Sequence, residues 1–172
     1  MVLTGKSAKR SAAMASPRNN KPSLSEKKRY KFIVSACLAG VNCTFRAGNK
    51  KNPGVMKLVR DGHAVAVCPE VAGGLTVPRE NCEIVRGEVF TVSGKNVTSN
   101  YTSGARAFLA IAKQLGIKKA ILKSNSPACG IGRIYDGRFS NTLKDGDGIL
   151  TSMLRREGFK LYTPEDYFRK KT

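Results

Sequence analysis

Three of the five cysteines in this chain, Cys37, Cys68 and Cys129, share one local context: a short apolar run has just ended, and a loop bearing Gly or Pro follows. Although far apart in sequence, residues in such loops meet at the carboxyl edge of an open α/β sheet, where ligands bind. Thiolates gathered there suit a soft metal centre, either zinc or an iron-sulfur cluster. Zinc sites announce themselves by paired ligands about two to four residues apart. Here no Cys-x-x-Cys occurs and the closest pair, Cys37 and Cys43, lies six apart, which lowers the zinc reading. Three dispersed thiolates on a 4Fe-4S cluster would leave one iron without a protein ligand, and such an iron is a Lewis acid that can accept a ligand from a substrate. Against this stands the tendency of free cysteine to be buried as a small hydrophobe. Cys43 and Cys82 are assigned to that role, with Cys43 close enough to Cys37 to line the same pocket or replace a ligand.

The elements that must position these thiols follow from the apolar pattern. Phe32-Ile33-Val34 leads into Cys37, His63 to Val67 into Cys68, and Ala120-Ile121-Leu122 into Lys123 to Gly130, each a buried strand running into a polar loop. A helix capped near Thr98 carries Tyr101, Ala105, Phe108, Leu109, Ala112 and Leu115 on one face and stops at Gly116. Residues 147–157 repeat the pattern before Gly158, and Phe159 to Tyr162 supply a final strand. Ile84-Val85 and Val89 to Val92 flank Arg86-Gly87-Glu88, which is hairpin chemistry. The alternation predicts a single α/β domain over residues 31–172, a mainly parallel sheet flanked by helices with one inserted β-hairpin.

Charge and composition bound the rest. The 172 residues hold 31 Lys+Arg against 12 Asp+Glu, a formal net charge of +19 with pI near 10.1, so polyanions should be attracted. Residues 1–30 are rich in Ser, Ala and Lys with Glu26 as their one acid, and read as a disordered basic tail, with organelle targeting as the competing reading. The absence of a secretory signal and of a membrane-length apolar run predicts an intracellular, cytoplasmic protein. In a reducing compartment its odd number of cysteines is free or metal-bound.

At the cysteine-bearing segments the chain resembles a known family. Ser35-Ala36-Cys37-Leu38-Ala39-Gly40, Cys68-Pro69-Glu70-Val71-Ala72-Gly73-Gly74-Leu75 with Pro78-Arg79, Asn96-Val97-Thr98, Ala120 to Ser124, Ser126-Pro127-Ala128-Cys129-Gly130 and Ile134-Tyr135-Asp136-Gly137 are similar, in order, to the signature blocks of the thiouracil desulfidase family. The resemblance spans about residues 31–162. It implies an α/β fold and a 4Fe-4S cluster bound through Cys37, Cys68 and Cys129. It further implies removal of sulfur from a thiolated pyrimidine such as 2-thiouracil without net redox, the sulfur passing to the open iron. One block departs from the pattern: an Arg-Tyr-Asp-Gly-like stretch is replaced by Thr44-Phe45-Arg46-Ala47-Gly48, which lacks the acidic residue.

Removing sulfur from a thiocarbonyl requires attack by water at the ring carbon and delivery of a proton. Glu70, two residues past Cys68, is placed to act as general acid or base, or else serves as a helix N-terminal carboxylate or a surface partner of Arg79. Ser126 and Ser124 precede Cys129 and can donate hydrogen bonds to substrate or cluster sulfide, or simply make the turn before Pro127. Lys123 and Arg79 are candidates for stabilising anionic charge. Gly73-Gly74 permits a backbone turn, and His63 reads as structural. Two alternatives stand beside the enzyme: a basic RNA-binding protein, which has only charge behind it, and a family member that keeps fold and cluster without turnover.

Overall fold

The computed structural model describes residues 30–169. The disordered tail expected over residues 1–30 therefore lies, apart from Tyr30, outside the described residues. Four short strands, β1 (Phe32–Ser35), β2 (Ala64–Val67), β5 (Lys119–Ile121) and β8 (Lys160–Tyr162), form a fully parallel sheet in the order β2-β1-β5-β8. Ser35 pairs with Val67, and Val34 with Ile121, so three neighbouring strands end almost level. The three cysteines leave from that common edge.

Period-two alternation sorts the strand side chains onto two faces. Ile33, Ala120 and Leu122 enter one apolar cluster with Phe108, Leu150 and Leu154, while Phe32, Val34 and Ile121 enter another with Val55 and Tyr167. Helices α3 (Thr98–Gln114) and α4 (Ile149–Arg156) thus cover one face, and α1 (Pro53–Arg60) and α5 (Pro164–Arg169) the other. Helix α2 (Pro69–Ala72) is a single turn directly after Cys68.

The sequence reading of α3 holds for its buried face and for Gly116, which takes a left-handed φ of 68°. Its N-terminus differs in detail. Thr98 is already helical, and the Asn96 side chain accepts its N–H at 3.0 Å, freeing the Thr98 hydroxyl to accept the Val89 N–H at 2.9 Å. Helix α1 went unnamed in the sequence. Its signal was Asn52-Pro53, where the Asn52 side chain accepts the N–H groups of Gly54 and Val55 and Pro53 occupies the first turn.

The inserted hairpin is β3 (Cys82–Val85) with β4 (Glu88–Thr91), turned by Arg86 and Gly87 at φ 50° and 88°, as a type I′ connection requires. A second antiparallel pair, β6 (Arg133–Tyr135) with β7 (Leu143–Asp145), adds to what the sequence announced. The buried Glu83 carboxylate binds its connecting loop, accepting the N–H groups of Gly137 and Phe139 at 2.9 and 3.0 Å.

Candidate active site

The level strand ends create a cavity of about 430 Å³ at the carboxyl edge. A water occupies about 30 Å³ of liquid, so the space is made for something larger. Cys37, Cys68 and Cys129 all line it, and so do Cys43 and Cys82. Each thiol arrives by its own route. Cys37 sits in a 3-10 turn that continues β1, Cys68 is the residue before α2, and Cys129 follows the Ser126-Pro127 turn after β5. Ser35 fastens the arrangement: its buried hydroxyl accepts the Lys123 N–H at 3.1 Å and is hydrogen-bonded to Cys129.

The thiols feel one another. A hydrogen bond with Cys43 holds Cys37 below the ordinary cysteine range, and the same bond raises Cys43. Cys68 is raised by its hydrogen bond with Cys43 and by burial. Burial, helped by the neighbouring Cys68 and Cys43 thiols, pushes Cys129 up to about 11, and burial likewise raises Cys82. Among the described residues, no three His, Cys, Asp or Glu side chains close around a point as the ligands of one metal ion would.

Glu70 and Ser126 meet in the same cavity, and the Ser126 hydroxyl donates to Glu70 Oε1 at 3.2 Å. That hydroxyl also accepts the N–H groups of Ala128 at 3.1 Å and Cys129 at 3.3 Å, so the turn role and proximity to the carboxylate belong to one side chain. Arg79 does pair with Glu70, but inside the wall rather than at the surface, since its side chain is 6% exposed. It also donates to the carbonyls of Cys43 at 3.0 Å and Thr76 at 3.2 Å, tying those segments to Glu70. Lys123 reaches the wall as well, while Ser124 and His63 do not.

Gly73 and Gly104 explain how α2 comes so close to α3. A Cβ on Gly104 would stand 1.7 Å from the Pro69 carbonyl oxygen, and one on Gly73 2.0 Å from that of Asn100. Gly73 is therefore required by contact, and only Gly74, at φ 85°, by the turn.

Tyr101 lines the cavity from α3, hydrogen-bonded to Cys82 and raised above the ordinary tyrosine range by burial. Helical spacing alone places it in the core, where it is indistinguishable from Phe108. The variant stretch at 44–48 forms part of the wall, with the Arg46 guanidinium 5.2 Å from the Phe45 ring centroid.

Comparison with known proteins bears on the same span. The chain is 36% identical over 145 residues to the uncharacterized protein YbbK of Bacillus subtilis (strain 168), covering 78% of this chain and 96% of that protein. Its structure matches that of the [4Fe-4S]-dependent thiouracil desulfidase TudS with a TM-score of 0.76 and 39% identity, covering 83% of this chain and 98% of the other. Residues 32–166 match the family described as 2-thiouracil desulfurase. A chain matched over so much of its length, with its strand-end cysteines on one cavity, belongs to the 2-thiouracil desulfurase family.

Proposed function

We propose that this protein removes sulfur from a thiolated pyrimidine such as 2-thiouracil by a non-redox reaction, using a 4Fe-4S cluster held by Cys37, Cys68 and Cys129. The observation that carries the reading is the convergence of three strand-end thiols on one cavity that also contains the hydrogen-bonded pair Glu70 and Ser126. The donor set fits such a cluster. Each thiolate of a cluster binds its own iron, so the sulfurs need not surround a point as they would around zinc, in keeping with the lack of a single-ion site among the described residues. When bound, the cluster supplies a Lewis-acidic iron without a protein thiolate.

The rest of the chemistry belongs to the chain. Hydrolysis of a thiocarbonyl places water oxygen on the ring carbon and releases sulfur as hydrogen sulfide, with no electrons gained or lost. Glu70, fixed as an acceptor by Arg79, takes the proton of the attacking water and returns it to the ring nitrogen or the leaving sulfur. Ser126 orients Glu70 and offers its hydroxyl to the substrate. A substrate that fills the cavity displaces water from these polar contacts and strengthens them. Five free cysteines suit a reducing compartment, and the cytoplasm is the proposed location.

Reconstituted protein given 2-thiouracil under anaerobic conditions, with no electron donor or acceptor, is expected to release uracil and sulfide in equal amounts. Protein carrying a full complement of iron that releases neither would overturn the reading.

A further inference from the structure

Cys43 has no part in the chemistry above, yet it lines the same cavity as Cys37 and Cys68. It is buried, and the Cys68 thiol donates to its carbonyl at 3.9 Å. The backbone turns back to bring it there. Gly40, at a left-handed φ of 93°, reverses the chain after the 3-10 turn, with the Gly40 N–H on the Cys37 carbonyl at 3.3 Å and the Val41 N–H on the Ala36 carbonyl at 3.2 Å. The returning loop is then pinned by Arg79, whose guanidinium binds the Cys43 carbonyl at 3.0 Å.

We propose that Cys43 is a redox modification site: when the site is without its metal centre, Cys43 and Cys37 close a reversible disulfide that keeps Cys37 from irreversible oxidation. Cys37 is preferred over Cys68 because the two belong to one tight loop, so closing the ring fixes little additional chain. The oxidant is a peroxide. One thiolate attacks a peroxide oxygen, an S–O bond forms as the O–O bond breaks, and hydroxide leaves to be protonated. The second thiolate attacks that sulfenic sulfur, the S–S bond forms, the S–O bond breaks and water leaves. Two electrons pass from the sulfurs to the peroxide, and two thiols plus hydrogen peroxide become a disulfide plus two waters. Without Cys43, the sulfenic acid would have no adjacent partner in its loop and would proceed to sulfinic acid, from which thiols cannot restore it.

Cys37 counts as a ligand only under the function proposed above, so iron and sulfide are counted in the purified full-length protein before oxidation. The disulfide map is then read separately, and the failure of one reading does not imply the failure of the other. The protein is treated with hydrogen peroxide in the presence of an iron chelator, alkylated and digested with trypsin. Cys37 and Cys43 lie in a single tryptic peptide, residues 32–46, bounded by Lys31 and Arg46. The expected product is that peptide, two hydrogens lighter and unalkylated until treated with dithiothreitol. Cys43→Ser should instead accumulate Cys37 sulfinic acid, and after reduction should regain several-fold less cluster on reconstitution than wild type treated alongside. Should the variant not fold, the wild-type peptide decides alone. A Cys43 that remains alkylatable while its neighbours oxidise, or that links to Cys68 instead, overturns the proposal.

Discussion

Glu70 and Ser126 carry the sharpest expectations at the scale of single residues. Replacing Glu70 with Gln removes the proton acceptor and leaves the buried Arg79 without its carboxylate. Loss of a general base lowers kcat by on the order of 100- to 10,000-fold, and cluster content should stay near wild type. An equal loss of iron would assign Glu70 to structure instead. Ala47 offers a test of the loop alone. It holds a left-handed φ of 55°, a conformation that costs a residue bearing a Cβ about 1–2 kcal/mol. Ala47→Gly should raise stability by about 1 kcal/mol in denaturant titration, and an unchanged midpoint would mean the loop relaxes freely. The three proposed ligands and the Glu70–Arg79 pair were legible in the sequence because each stands beside a strand end or in a signature block. Cys43 was legible as a pocket residue through its closeness to Cys37, whereas Cys82 and Tyr101 were not, since nothing local distinguishes an apolar side chain that faces a cavity from one that faces the core.

Among the elements, the contact between α2 and α3 decides where Cys68 stands. Gly104→Ala would drive a Cβ into the Pro69 carbonyl. Overpacking of this kind costs about 1–3 kcal/mol, and the shift should reach Cys68 next to Pro69, so iron retention should fall along with the melting temperature. Full retention of iron would uncouple the helix from the site. Asp147 performs a similar service for the loop after Cys129. It accepts the Gly132 N–H at 2.8 Å and binds Arg155 of α4 at 2.7 Å, and the Arg155 hydrogen bond holds its carboxyl below the ordinary aspartate range. A folded pKa below the unfolded one contributes stability that is present above about pH 4 and lost as pH falls through the folded value. Asp147→Asn should therefore destabilise the protein by about 1 kcal/mol at neutral pH and by much less near pH 2, and a pH-independent difference would refute the linkage. The parallel strands, α3, α4 and the first hairpin were readable from period and turn chemistry. Helix α1 escaped because Asn52-Pro53 was its one marker, and the pair β6–β7 because Arg133, Lys144 and Asp145 leave its three-residue strands no apolar run to read.

For the whole molecule, charge and topology make separate demands. A net charge of +19 predicts that RNA binds with an affinity falling steeply as salt rises, measurable by filter binding. A flat response would remove nucleic acid from consideration. No helix among the described residues is long and apolar enough to cross a membrane. Topology does the chemically decisive work: four parallel strands in the order β2-β1-β5-β8 bring residues from distant parts of the chain to one edge. The most direct measurement of that claim is iron and acid-labile sulfide in anaerobically reconstituted protein, wild type beside single Ser variants of Cys37, Cys68, Cys129 and Cys82. The account predicts four irons and four sulfides per chain with broad absorption near about 400 nm, lost with Cys37, Cys68 or Cys129 and kept with Cys82. Colourless, iron-free wild-type protein, or a cluster indifferent to those three substitutions, would contradict it.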